Sequence, residues 1–153
     1  MIEKTASANS GRTFAVPRAF LIALAINFVW INASEVWRYL YVIKPMLHEA
    51  FPGEARIAPF DLATFAIWSL WDLILVAAAT GFYWLFLKTA GPSFWQAITA
   101  SILFTLTVFG LLWLGVYNMG LVPARFIWVA LPLAWAEQAI AAFIVWQMLL
   151  RPK

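Results

Sequence analysis

Cysteine is absent from this chain and histidine occurs once, at His48. Disulfides, thiol nucleophiles, iron–sulfur ligation and cysteine-rich zinc sites are thereby excluded, as is haem held by two histidines of one chain. Charge is scarce too: 11% of residues are Asp, Glu, Lys or Arg, against about a quarter in a soluble domain. The net charge of +3 comes from scattered Lys and Arg that form no stripe for a nucleic acid to follow. No motif of metal-ligating residues is visible, so neither a metal nor a cofactor is expected.

Apolar side chains fill the space left by charge. They make up 65% of the 153 residues, with ten Trp and thirteen Phe among them. Soluble domains are about half apolar, and Trp favours the edges of a bilayer. The composition predicts an all-α membrane protein with one domain: four transmembrane helices in an antiparallel bundle, with a short interfacial segment between helices 1 and 2.

Four apolar runs of sufficient length are present. A polar tail, residues 1–16, reads as disordered and cytoplasmic, and residues 17–153 form the four-helix domain. The runs cover about 17–44, 59–88, 94–118 and 123–150, each long enough for the roughly 20 residues that cross the hydrocarbon. Pro17 suits a helix start, and Pro45 is expected to end or kink the first run. The stretch from Pro45 to Phe51 then gives one or two interfacial turns, followed by the Pro52-Gly53 break, with His48 a solvated loop residue. Ser93 is a candidate N-cap after the Gly91-Pro92 turn. Pro132 sits inside the fourth run and predicts a kink, since it takes the hydrogen bond from the Trp128 carbonyl. Helices satisfy their own backbone in lipid, and the ten-residue alternation of a barrel is missing.

Basic residues set the expected orientation. Lys4, Arg12, Arg18, Lys88, Arg151 and Lys153 lie on one side. Lys44, Arg56, Arg125 and Arg38 belong to the other. The excess places both termini in the cytoplasm, and a bacterial inner membrane is the expected location.

The functional signal is polarity where lipid should exclude it. The first run holds Asn27, Asn32, Ser34, Glu35 and Arg38; the second holds Asp72; the fourth holds Glu137 and Gln138. Ionisable groups inside such runs face the protein interior and mark working sites by default. At about 100° per residue, Asn27, Ser34, Arg38 and Glu35 share roughly a 100° face, and Asn32 lies off it near 140°. Asp61, Thr64, Trp68 and Asp72 fall on one stripe of the second run. Ala130, Ala134, Glu137 and Ala141 share a face of the fourth, where small residues admit a neighbouring helix. The hydroxyls of Thr99, Ser101, Thr105 and Thr107 are expected to bond to carbonyls one turn back. Trp113, Tyr117 and Asn118 mark the outer end of the third run, with Asn118 the ligand-binding candidate among them. These groups predict a polar pocket that opens outward beneath residues 45–60.

Glu35, Asp72 and Glu137 would carry three negative charges against the one positive charge of Arg38. A buried unpaired charge costs several kcal/mol, whereas Arg stays protonated. Either a carboxyl is neutral or hydrated, or a cation from outside matches it. Structural readings stand beside this one: Glu35 and Arg38 as an intrahelical pair, Asp72 as a protonated donor to the third helix, Glu137-Gln138 as interhelical glue.

Three classes of function follow. The first binds or transports a small amphipathic or cationic molecule, or a lipid, between carboxylates and Trp faces. In overall plan the chain is similar to the small multidrug transporters, which also have four helices and a Glu in the first. That resemblance covers architecture alone, for this chain is longer and carries two further acids. The second is an intramembrane acid–base enzyme acting on a lipid-like substrate, for which no nucleophile–base pair is visible. The third is an accessory subunit whose polar groups set packing and register. The expected partners are membrane lipids, a small-molecule or lipid ligand, and a second copy or a larger membrane complex.

Overall fold

The computed structural model describes residues 16–52 and 61–150. Among these there are four helices long and apolar enough to cross a membrane: α1 (Arg18–Ala50), α2 (Leu62–Ala90), α3 (Phe94–Asn118) and α4 (Arg125–Leu150). No strand occurs among the described residues. The expected tail, all but Val16, lies outside them, as do the Gly53 break and the expected start of the second helix at Pro59.

Each helix begins and ends for a local reason. At the start of α1 the Pro17 carbonyl accepts from the Phe20 and Leu21 N–H groups. Asp61 caps α2, its carboxylate accepting from the Thr64 N–H at 2.8 Å. That backbone donor holds the Asp61 carboxyl below the usual carboxylate range. Ser93 caps α3 through the Gln96 N–H at 3.2 Å. Gly91 and Gly120 follow α2 and α3 at φ 93° and 70°, a region that L side chains resist.

Helix α1 does not stop at Lys44. It runs to Ala50 through a π-helical turn over Tyr39–Ile43. There the Lys44 N–H reaches back five residues to the Tyr39 carbonyl. The widened turn relieves the clash that a proline ring normally makes with the carbonyl four residues before it. Pro45 thus sits in the first turn of a continuing helical stretch, Lys44–Ala50, and His48 is helical. A second π-helical turn, Thr105–Gly110, interrupts α3. Helix α4 continues through Pro132. At its start Phe126 and Ile127 bond to the Pro123 and Ala124 carbonyls, so the regular helix opens two residues later than the proline suggests.

Helix α4 packs against all three others and α2 against α1 and α3, while α1 reaches α3 where Arg38 lies over Phe109. Small residues make the close approaches: Ala23 on α1, Ala79 on α2, Ala97 and Ala100 on α3, Ala130, Ala134, Ala141 and Ala142 on α4, all buried. A leucine at Ala134 must displace a neighbouring backbone. Ala134→Leu is expected to cost about 1–3 kcal/mol by overpacking, read as a lower melting temperature of the purified protein.

Polarity is arranged inside out. Leu62, Trp95 and Trp128 are more than 70% exposed, at 82%, 74% and 79%, while Asn27, Thr80, Ser101 and Gln138 are wholly buried.

Candidate functional site

Helix α1 buries one row of side chains, Ala23, Asn27, Ile31 and Glu35, at every fourth position. Arg38, one turn beyond Glu35, turns back to the same row. Its Nη2 donates to Glu35 Oε1 at 3.0 Å and its Nη1 to Glu137 Oε2 at 3.3 Å. The guanidinium therefore joins α1 to α4, and its side chain is only 13% exposed. It also lies over the Phe109 ring of α3, 5.8 Å from the centroid.

The second carboxylate oxygen of Glu137, Oε1, accepts from Gln138 Nε2 at 3.0 Å. The Gln138 Oε1 accepts from the Tyr83 hydroxyl of α2 at 2.8 Å. The Glu137 carbonyl accepts from the Trp30 indole at 3.0 Å. On the other flank, the Asp72 carboxyl lies near Glu35 and Trp68. Asp72 is 3% exposed, and its Oδ1 finds no partner among the described residues. One polar chain thus runs Tyr83, Gln138, Glu137, Arg38, Glu35, Asp72. It leaves α2 and returns to it eleven residues away, a rise of about 16 Å.

Glu35 and Arg38 also face a cleft of about 380 Å³ between α1, α2 and α3. Trp68 and Trp71 of α2 and Phe109 and Trp113 of α3 wall it. Tyr39 lines it too, edge-on to Trp68 with centroids 5.2 Å apart. Both π-helical turns contribute to this cleft, through Tyr39 and Ile43 on one side and Phe109 on the other. Such turns are rare and recur at functional sites. The volume lies within the range that holds drug-sized molecules. A second cleft of about 340 Å³ opens between α1 and α4, where Ser34, Trp30 and Trp37 reach the far side of Arg38 and Glu137. Asp72 lines neither cleft; it stands behind Glu35 and Trp68.

The chain matches no family model, no curated protein and no solved structure. Function is therefore argued from the site alone.

Not every candidate joins this cluster. Asn27 lies two turns below Glu35 and ties three helices instead: its Nδ2 donates to Thr80 Oγ1 at 3.0 Å and to the Ala141 carbonyl at 3.3 Å. Asn32 bonds to the Phe28 carbonyl of its own helix at 2.8 Å. Asn118 is exposed at the end of α3 and lines neither cleft. Asp61, placed on the stripe with Asp72, is spent on the helix cap. Thr99, Ser101 and Thr107 bond back to the Trp95, Ile98 and Leu103 carbonyls. The Thr105 hydroxyl has no such partner.

Tyr83, Thr80, Trp30 and Phe109 do join the polar framework and were not singled out in sequence. For Tyr83 a signal existed, since it lies eleven residues from Asp72 and shares its face. Phe109 carries none, because an aromatic in an apolar run reads as core.

Proposed function

We propose that this chain is a multi-pass membrane protein whose cleft between α1, α2 and α3 binds a small amphipathic cation. Its apolar exterior and polar interior suit lipid on the outside, where an apolar surface costs nothing. Antiparallel crossing is supported by the contacts themselves. Asn27 meets Thr80 while Glu35 lies near Asp72, and Asn27 meets Ala141 while Arg38 meets Glu137, so numbers rise on α1 as they fall on α2 and α4. The excess of Lys and Arg on one side favours cytoplasmic termini in a bacterial inner membrane. The cleft then opens away from the cytoplasm, toward the helix ends that flank residues 53–60.

The observation that carries the reading is an aromatic cleft whose polar end, Glu35 and Arg38, is backed by two further carboxyls outside its lining, Asp72 beside Glu35 and Glu137 across Arg38. Three acids, Glu35, Asp72 and Glu137, surround Arg38 alone. A guest with one positive charge gains ion pairing from that excess and stacking from Trp68, Trp71 and Trp113. An anion meets the wrong sign, and a neutral molecule gains only apolar contact.

Tetraphenylphosphonium and tetraphenylborate have nearly the same shape and opposite charge. With the purified protein in lipid nanodiscs, calorimetry is expected to show saturable binding of the phosphonium, at least tenfold weaker in Glu35→Gln, and none of the borate. Equal binding of both ions, or of neither, refutes the reading.

A further inference from the structure

Two cations at one end of the bundle have no counter-charge among the described residues. Phe20, near the start of α1, packs edge-on against Trp84, near the end of α2, with ring centroids 5.4 Å apart. Phe94, which opens α3, packs against Trp146, near the end of α4, at 6.0 Å. The short turn at Gly91 joins α2 to α3, so these four helix ends lie together. Arg18 and Lys88 stand among them, both exposed, and neither forms an ion pair among the described residues. The described acids are elsewhere. Glu35, Asp72 and Glu137 belong to the interior, and Glu49 and Asp61 to the opposite ends of α1 and α2. Sequence adds to the surplus: Lys4 and Arg12 precede α1, Arg151 and Lys153 follow α4, and Glu3 is the one acid in those two stretches.

Apolar surface adjoins the two cations. Trp84 is buried, with Phe20 edge-on to its ring and the Lys88 ammonium 5.9 Å from its centroid. The next residues in sequence, Leu21 on α1 and Leu85 on α2, turn about 100° away from those two rings and are exposed. Each leucine also lies three residues, about 4.5 Å, further into the bundle than the cation of its own helix. A partner that fits this surface carries negative charge at the level of Arg18 and Lys88 and hydrocarbon at the level of Leu21 and Leu85. An anionic phospholipid has that order. A nucleic acid or a free phosphate supplies the charge without the hydrocarbon, and a zwitterionic lipid brings its own cation beside the phosphate.

We infer that these helix ends bind an anionic phospholipid, its phosphate at Arg18 and Lys88 and its acyl chains lying on Leu21 and Leu85. The inference uses the membrane reading above and is independent of the cation cleft, which opens toward the opposite helix ends. One Lys or Arg near an anionic lipid surface favours binding by about fivefold, so two unpaired cations select an anionic over a zwitterionic headgroup by about tenfold or more. The selection weakens as ionic strength rises, because both cations are exposed to solvent.

The test is native mass spectrometry of the full chain, released from detergent micelles that contain phosphatidylglycerol and phosphatidylcholine in equal amount and with the same acyl chains. The wild type is expected to retain phosphatidylglycerol about tenfold over phosphatidylcholine. Arg18→Gln/Lys88→Gln is expected to retain the two about equally. Lys44→Gln removes an exposed charge near the far end of α1 and is expected to keep the wild-type preference.

Equal retention by the wild type overturns the inference, for it is the result given by Lys and Arg that serve only to orient the chain. A preference lost as fully in Lys44→Gln shows an effect of net charge and overturns the assignment to this end. Displacement of the lipid by an excess of inorganic phosphate makes the free anion the ligand and overturns the lipid. The wild type and Lys44→Gln decide the matter even where the double variant fails to fold. A chain that stays in solution without detergent removes the membrane reading itself, which is a separate outcome from equal retention.

Discussion

Arg38→Met is expected to destabilise the protein by about 3–5 kcal/mol, the usual cost of removing one partner from a buried ion pair. Arg38 holds two such partners, Glu35 and Glu137, with Glu137 side-chain exposure of only 1%. Methionine keeps the length and the apolar stem of the side chain, so the packing on Phe109 is largely retained and the loss is one of charge. The two carboxyls left behind must either stay ionised without a counter-charge or take up protons. The deficit is therefore smallest in acid and grows as pH rises, a direction that a simple packing defect would not show. Adding Glu137→Gln removes one of the stranded charges, and Arg38→Met/Glu137→Gln should melt higher than Arg38→Met alone at neutral pH. Melting temperature against pH in detergent measures all three proteins. If Arg38→Met melts as the wild type does throughout, the guanidinium is not the counter-charge of this cluster.

The same charges make the site legible in the sequence. Glu35, Arg38, Asp72 and Glu137 each interrupt an apolar run, and a group that is costly in lipid has few places to go besides its counterparts. Helical angle then sorted α1 in part: Asn32, off the shared face, bonds only within its own helix. Angle gives direction but not depth, however. Asn27 shares the face of Glu35 and lies about 12 Å lower along the axis, so it meets Thr80 and Ala141. Asn118 lies exposed at a helix end, where water can satisfy its amide, so its polarity carries no signal of a site.

The helix ends were legible where a side chain or a glycine sets them, as at Ser93, Gly91 and Gly120. They were not legible at Pro45, because a π-helical turn spares the helix the proline's usual effect, and nothing in Tyr39–Ile43 announces one. Phe109 is illegible for the same reason, since it lies in the second such turn and meets Arg38 from there. The exposed pair between Arg125 and Glu49, 2.8 Å apart, links the far end of α1 to the start of α4. It depends on α1 continuing past Pro45, so no reading that ended the helix there could find it.

Gln138→Leu is expected to cost about 2–4 kcal/mol, because Gln138 links two buried groups that need it, the Tyr83 hydroxyl and the Glu137 carboxylate. Its loss strands the Tyr83 hydroxyl, at about 1–3 kcal/mol for a buried unpartnered donor, and takes from Glu137 one of its hydrogen bonds. Interhelical hydrogen bonds in membrane proteins average only about 0.6 kcal/mol by double-mutant cycles. That figure measures the coupling of a pair, whereas a single truncation also leaves the partner buried and unmet, so the larger value applies here. The two shares separate by their response to pH. A hydroxyl does not titrate near neutrality, so the Tyr83 share is constant with pH and is recovered by adding Tyr83→Phe. The Glu137 share grows as pH rises, since an ionised carboxylate misses its donor more than a neutral carboxyl does. Tyr83→Phe/Gln138→Leu should therefore approach wild-type stability in acid and fall below it at neutral pH. A double variant with a flat deficit would show that Gln138 serves Glu137 only as packing, and that the polar chain from Tyr83 to Arg38 carries no electrostatic weight.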